Sequence, residues 1–435
     1  MKKLVMSSTM VGMALFSLNF GAGNIIFPPY VGLGSGPEWL LGFFCYYMAD
    51  IGLALLAILA MVKAGTIDRP EGLFYRLRGR WAKIMMGAVL LCIGPMLAIP
   101  RTGATTYQMV VQPLLGEPGT LSLLITTLIY FGLVYALAIR ESKLVDIVGK
   151  YLTPALVVGL LALIVAGVMN PLGPISETPM LDNVVWEGIS SGYQTLDVLG
   201  CMVWGFVIVS ALKAKGYTSD KHKALTVILA CLAAGVIFLI IYGGLCYLGA
   251  TVSTIYPLDY DRGTMIIEIA DKLFGQAGSL VLGIVVSLAC LTTGTGLAGG
   301  CGTFFYSLSD GKLSYKTIVT LTCIFSCVVA NFGLNKIISM AVPVLVIIYP
   351  AALVIVVLSF FNKQINNDNI IKFATGGALL VSTLEVLNGF GLPLGFVTKL
   401  PLSFYGFAWV LPAAVAGVIG YFFKAKPVED DLATA

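Results

Sequence analysis

Long apolar stretches alternate with short polar connections along almost the whole chain. Twelve are countable, at about residues 4–34, 39–62, 81–114, 121–139, 144–169, 184–212, 224–248, 277–308, 318–330, 337–361, 370–390 and 404–423. Nearly all reach the ~20 apolar residues that cross a bilayer as a helix. The ninth is short. The pattern therefore predicts an all-α polytopic membrane protein with 12 transmembrane helices.

Two stretches break their own pattern. The first carries FSLNFGAGNIIFPP, with Gly21, Gly23 and Asn24 and then Pro28 and Pro29 inside an apolar run. The sixth carries SGYQTLDVLG, residues 191–200, with Asp197 beside its glycines. A glycine costs a helix interior roughly 1 kcal/mol, and an ionised Asp at mid-membrane about 3 kcal/mol on insertion scales. Unwound backbone at that depth is tolerated where it lines a cavity or binds something. The breaks fall five spans apart, and five is odd, so spans 1–5 and 6–10 would cross with opposite sense. The expected architecture is a five-plus-five inverted repeat with broken helices 1 and 6, residues 1–170 and 183–361. Two extra C-terminal helices follow at 370–423, and 424–435 form a tail. Paired broken helices point to a transporter's midplane site. The half-helix starting near Ala22 would offer free amides and a positive dipole end to a carboxylate. Freed carbonyls would suit an ammonium group or Na⁺, and a zwitterion would use both. Packing kinks are the alternative reading of the same residues.

Composition agrees and narrows the function classes. The chain has 435 residues, 58% of them hydrophobic and 11% charged, with mean hydropathy +0.95. Soluble domains are about 25% charged, so no water-soluble enzyme domain is accommodated. With both termini inside, twenty-one of the 26 Lys and Arg fall on the inner side, four on the outer, and Arg101 within a span. That is the positive-inside asymmetry of an even number of spans. The N-terminal run continues far past signal-peptide length and reads as the first span. The outer connection 251–276 reads as a solvated loop or a short external helix. Nine scattered cysteines and one histidine give no metal-ligand spacing.

Span eight reads SLACLTTGTGLAGG, residues 287–300, placing Ala289, Thr292 and Thr293 on one side. Their oxygens could hold Na⁺, or the threonines could bond back to their own helix while small residues admit a neighbour. GISSG, residues 188–192, matches a hydrolase elbow in letters only. It lacks the strand-to-helix context, and His222 is expected a membrane thickness away from Ser190. No nucleotide-binding P-loop pattern appears. Arg101 reads as lying near the outer face, where it could clamp a carboxylate, pair with Asp50 or snorkel outward, with snorkelling or pairing the favoured reading. Glu385, in an extra helix, reads as structural.

FGAGNIIFPP, CIGPMLAIPRTGATTY (92–107), GYQTLDVLG and ACLTTGTGL (289–297), in that order, resemble the blocks of the branched-chain amino acid:cation symporters. These are the LIVCS or BrnQ-like carriers of the amino acid–polyamine–organocation superfamily. The resemblance spans nearly the whole chain. It implies uptake of leucine, isoleucine and valine in the plasma (cytoplasmic) membrane of a prokaryote, both termini cytoplasmic, with Na⁺ as coupling ion or, in some members, H⁺. It implies a sodium site on the carbonyls of Ser17, Phe20 and Ala289 and the hydroxyls of Thr292 and Thr293. The substrate carboxylate would meet Ala22, Gly23 and Asn24, and its ammonium Tyr193, Gln194 and Thr195. Trp204 would line the side-chain pocket, and Asp197 would serve coupling or hold the break. The partners expected are a small amino acid and the lipid bilayer, with no organic cofactor, nucleic acid or obligate protein partner. The chain departs from the family pattern at Gln194, at Gly294 and Thr295, and at CGTFFYSL (301–308). A proton-coupled carrier of another amino acid or small solute on the same fold is the alternative. A channel would show a ring of filter residues, and a sensor an output domain; neither is visible.

Overall fold

The computed structural model describes residues 12–13, 15–16, 19–65, 72–116, 119–139, 143–202, 220–362 and 364–423, with the backbone alone at 143–153 and 220–224. Ser17, Trp204 and the tail 424–435 lie outside the described residues.

The described chain is helical throughout. Seven helical stretches are long and apolar enough to cross a membrane: Ala22–Ala64, Gly79–Leu115, Thr120–Ile139, Leu225–Ala250, Arg262–Leu308, Leu334–Ser359 and Asp368–Gly389. Shorter apolar helices are Pro154–Met169, Tyr315–Ala330 and Val410–Phe422. Helices suit runs of Leu, Ile, Val and Ala in lipid because each satisfies its own backbone polar groups. The side chains are sorted accordingly. Leu121 is 69% exposed and Arg101 2%, so apolar groups face outward and polar ones are gathered inside.

The helix Ala22–Ser35 is buried along its entire length. It turns through a short 3-10 segment, Gly36–Glu38, and packs against Trp39–Tyr47. On another side it lies against Asp220–Ala250 at backbone contact. A Cβ built on Gly32 would stand 1.8 Å from the Cys246 carbonyl oxygen, and one on Gly249 1.9 Å from that of Pro29. Glycine is the residue that permits such a crossing.

The glycines of GISSG have the same purpose. A Cβ on Gly188 would approach the Gly42 carbonyl oxygen to 2.8 Å, and one on Gly192 the Tyr46 carbonyl oxygen to 2.9 Å. They seat Val184–Tyr193 on the second span.

Two peripheral features brace this centre. Residues 262–274 form a helix that ends at Gly275 (φ 72°, ψ 178°), so the connection read as loop or helix is a helix. Glu268 there accepts hydrogen bonds from Tyr256 and Tyr260, both at 2.6 Å. Elsewhere Asp368, opening the helix Asp368–Gly389, pairs with Arg76 at 2.7 Å and Arg78 at 2.5 Å. Arg76 also donates to Asn362 at 2.7 Å. The segment Gly72–Leu77 is thereby fixed to the start of the helix Asp368–Gly389 and lies against Met202 of the sixth stretch.

Candidate functional site

The first interruption is at Phe20 and Gly21. The Phe20 amide still bonds the Phe16 carbonyl at 2.8 Å. Gly21 is then extended (φ −123°, ψ −162°), and helix resumes at Ala22. The amides of Ala22, Gly23 and Asn24 open the new helix and have no intrahelical carbonyl to bond.

The second interruption occupies residues 194–196. Leu196 takes φ +71°, a left-handed conformation that costs a branched side chain on the order of 1–3 kcal/mol and marks functional sites more often than ordinary turns. Helix resumes at Asp197. The two interruptions touch: a Cβ on Gly23 would lie 3.3 Å from the Thr195 Cα.

Asn24 ties the interruptions together. Its Oδ1 accepts from the Gly21 amide at 2.8 Å. Its Nδ2 donates to Asp197 Oδ2 at 2.7 Å and to the Tyr242 hydroxyl at 2.5 Å. On the other side of Asp197, the single Thr195 hydroxyl proton is shared between Asp50 Oδ1 and the Gly192 carbonyl, both at 2.6 Å. Asp50 sits in a π-helical turn, Met48–Gly52, a local widening of the helix frequent at functional positions. The phenols of Tyr46 and Tyr242 and the Asp197 carboxyl surround it.

Between the interruptions lies a cavity of about 60 Å³, several times what one water needs. Gly21 to Asn24 form one wall and Thr195 to Asp197 another. Ile93, Leu196 and Leu297 supply apolar surface; Arg101, Thr102 and Thr293 supply polar groups.

Arg101 corrects the sequence reading. It does not snorkel, nor does it pair with Asp50; it is buried in the cavity wall, donating to the Gln194 carbonyl. The helical stretch Gly79–Leu115 is 37 residues long, and Arg101 stands just past its middle. The stretch is also bent at Gly94 (φ −104°, ψ −123°), ahead of Pro95, within Cys92–Met96.

Of the other candidate residues, Ala22, Gly23, Asn24, Thr195, Asp197 and Thr293 line the cavity. Tyr193 stands beside it, its ring stacked on Tyr349 with centroids 4.3 Å apart. The Gln194 side chain is buried next to it. Thr293 faces Gly21, its Oγ1 4.0 Å from the position of a Cβ there. The Thr292 hydroxyl donates to the Ala289 carbonyl at 2.8 Å. Phe20 packs on Phe16 at 4.9 Å. Sequence reasoning assigned no role here to Tyr242, Ile93, Thr102 or Leu297. A tyrosine or leucine in an apolar run carries no signal of its own.

The arrangement offers a small solute a guanidinium, Arg101, and a carboxyl group, Asp197, in the lining of one cavity that also carries apolar surface. Comparisons with known proteins give the family and the fold. Residues 5–426 match the family model described as branched-chain amino acid transport protein. The chain is similar to the branched-chain amino acid permease BraB of Bacillus subtilis (strain 168), 39% identical over 96% of this chain and 95% of that protein. It is likewise similar to the permease BrnQ of the same organism, 32% identical over 94% and 95%. Among solved structures it shares a fold with MhsT in complex with L-phenylalanine, at TM-score 0.57, 17% identity and coverage of 95% and 97%. It also resembles the inward-facing conformation of Mhp1, at TM-score 0.62, 11% identity and coverage of 95% and 90%.

Proposed function

The chain belongs to the branched-chain amino acid transport proteins, and from that premise we propose that it imports leucine, isoleucine and valine by Na⁺ symport with alternating access. It is a multi-pass membrane transporter and not an enzyme. The observation carrying the proposal is the meeting of two unwound segments, far apart in sequence, around a cavity lined by a guanidinium and a carboxyl group.

The architecture proposed with it is 12 helices in a five-plus-five inverted repeat with helices 1 and 6 broken, followed by two extra helices. It sits in a prokaryotic plasma membrane with both termini cytoplasmic. The substrate's ammonium group would lie toward Thr195 and Asp197, and its aliphatic side chain against Ile93, Leu196 and Leu297. A pocket of that kind separates leucine from valine by only about 1–3 kcal/mol. Na⁺ travels as a second substrate. Thr293, facing the interruption at Gly21, and the carbonyls of Phe20 and Ala289 supply the hard neutral oxygens such an ion takes. The Thr292 hydroxyl gives its proton to Ala289 and so keeps its lone pairs for a cation. Cation and substrate would favour one occluded state, after which one bundle rocks against the other. The buried acids Asp50 and Asp197, facing each other beside the cavity, favour a second reading in which the coupling ion is H⁺.

Purified protein in liposomes should accumulate labelled leucine above equilibrium only under an inward Na⁺ gradient. Uptake indifferent to Na⁺ but driven by an imposed pH gradient would move the coupling to H⁺. No saturable uptake of leucine, isoleucine or valine would overturn the proposal.

A further inference from the structure

Arg101 is a buried cation whose hydrogen bonds are mostly unmade. Its Nη1 donates to the Gln194 carbonyl. Its Nε and Nη2 are fully buried and have no partner. The ion pairs seen among the described residues join Arg76 and Arg78 to Asp368, so Arg101 has no carboxylate partner there. The Phe27 ring lies 5.5 Å from its guanidinium carbon, which favours a cation but accepts none of its N–H groups in the plane. A guanidinium withdrawn from water without an anion is costly, and its planar fork matches a carboxylate.

Its position says which anion. Nη1 stands 3.1 Å from where a Cβ on Gly23 would be. The guanidinium therefore overhangs the first turn of the helix starting at Ala22, where amides and helix dipole attract negative charge. The acid of the same cavity, Asp197, accepts a hydrogen bond from Asn24 at 2.7 Å.

We propose that Arg101 is a substrate-binding residue, and that the α-carboxylate of the transported amino acid is held between its guanidinium and the amides of Ala22 to Asn24. The assignment rests on the reading of this cavity as an amino acid site. It also gives the carboxylate a second effect. The side chain that receives it already holds the Gln194 carbonyl, so its arrival is registered at both interruptions. A zwitterion supplies the anion that Arg101 lacks without adding net charge, because its own ammonium group balances its carboxylate.

The test is equilibrium binding of labelled leucine to the purified transporter in nanodiscs. Unlabelled leucine, leucinol (no carboxylate) and 4-methylpentanoate (no amine) serve as competitors. In the wild type, leucinol is expected to compete at least about 100-fold more weakly than leucine, and 4-methylpentanoate better than leucinol. R101Q should lose leucine affinity about 100-fold and bring the leucine-to-leucinol ratio close to one. R101K keeps the charge but not the fork, and should weaken leucine about tenfold while leaving leucinol unchanged. An R101Q protein that keeps both affinity and ratio overturns the assignment. So does an R101K protein that weakens leucine and leucinol equally, or a wild type for which leucinol equals leucine. A wild type that binds no branched-chain amino acid ends the transport reading, and this assignment with it.

Discussion

Asn24→Leu should abolish saturable leucine uptake, lowering the initial rate in proteoliposomes by at least about 100-fold. Leucine keeps the branching at Cγ but is larger than asparagine, so overpacking of the buried helix Ala22–Ser35 adds to the loss. Three polar groups lose their partner at once: the Gly21 amide, the Tyr242 hydroxyl and Asp197 Oδ2. A buried polar group left unpaired costs about 1–3 kcal/mol, and a charged one more. Even the lower end of that sum, roughly 3 kcal/mol, depopulates the aligned arrangement more than 100-fold. Asn24→Asp is expected to fail as well, because a second carboxylate would face Asp197. An Asn24→Leu transporter working at a tenth of the wild-type rate or better would show that the link between the interruptions is dispensable.

The second large effect is on folding. Gly249→Val should remove most of the monodisperse protein recovered by size-exclusion chromatography, at least fivefold. Overpacking a core of movable side chains costs about 1–3 kcal/mol. Here the added atom would meet the Pro29 carbonyl at 1.9 Å, a backbone group that can retreat only if two central helices separate. Gly32, 1.8 Å from the Cys246 carbonyl oxygen across the same crossing, should behave alike. Gly132→Ala is the control: it faces outward and a Cβ there meets nothing within 4 Å. Normal recovery of Gly249→Val would contradict the close crossing.

The long-range organisation was legible for physical reasons. Glycine, asparagine and aspartate inside apolar runs are costly in lipid, so Gly21, Gly23, Asn24 and Asp197 stood out, and all four line one cavity. Depth was harder to read. Counting 1.5 Å per residue from the start of an apolar run put Arg101 near the outer face, because sequence does not say where a 37-residue helix enters the membrane. The widened π turns at Met48–Gly52 and Cys92–Met96 also rotate whatever follows them, and i, i+4 counting assumes no such rotation. Asp50 was noticed only as a possible partner for Arg101; its bond from Thr195 joins residues 145 apart and no local pattern announces it. Tyr242 is the clearest omission. Its chemistry comes from Asn24 at 2.5 Å, a fact of packing alone. Gly188 and Gly192, which resembled a catalytic turn in letters, are where two helices touch.

The central claim is that the backbone freed at two distant segments is completed by the transported solute. Amide hydrogen exchange reads this directly in the intact protein in nanodiscs, with and without leucine in the presence of Na⁺. The account predicts that exchange slows by at least about tenfold in both segments, residues 20–24 and 193–197, when leucine is added. Slowing in one segment alone, or in neither while other segments are protected, would contradict it.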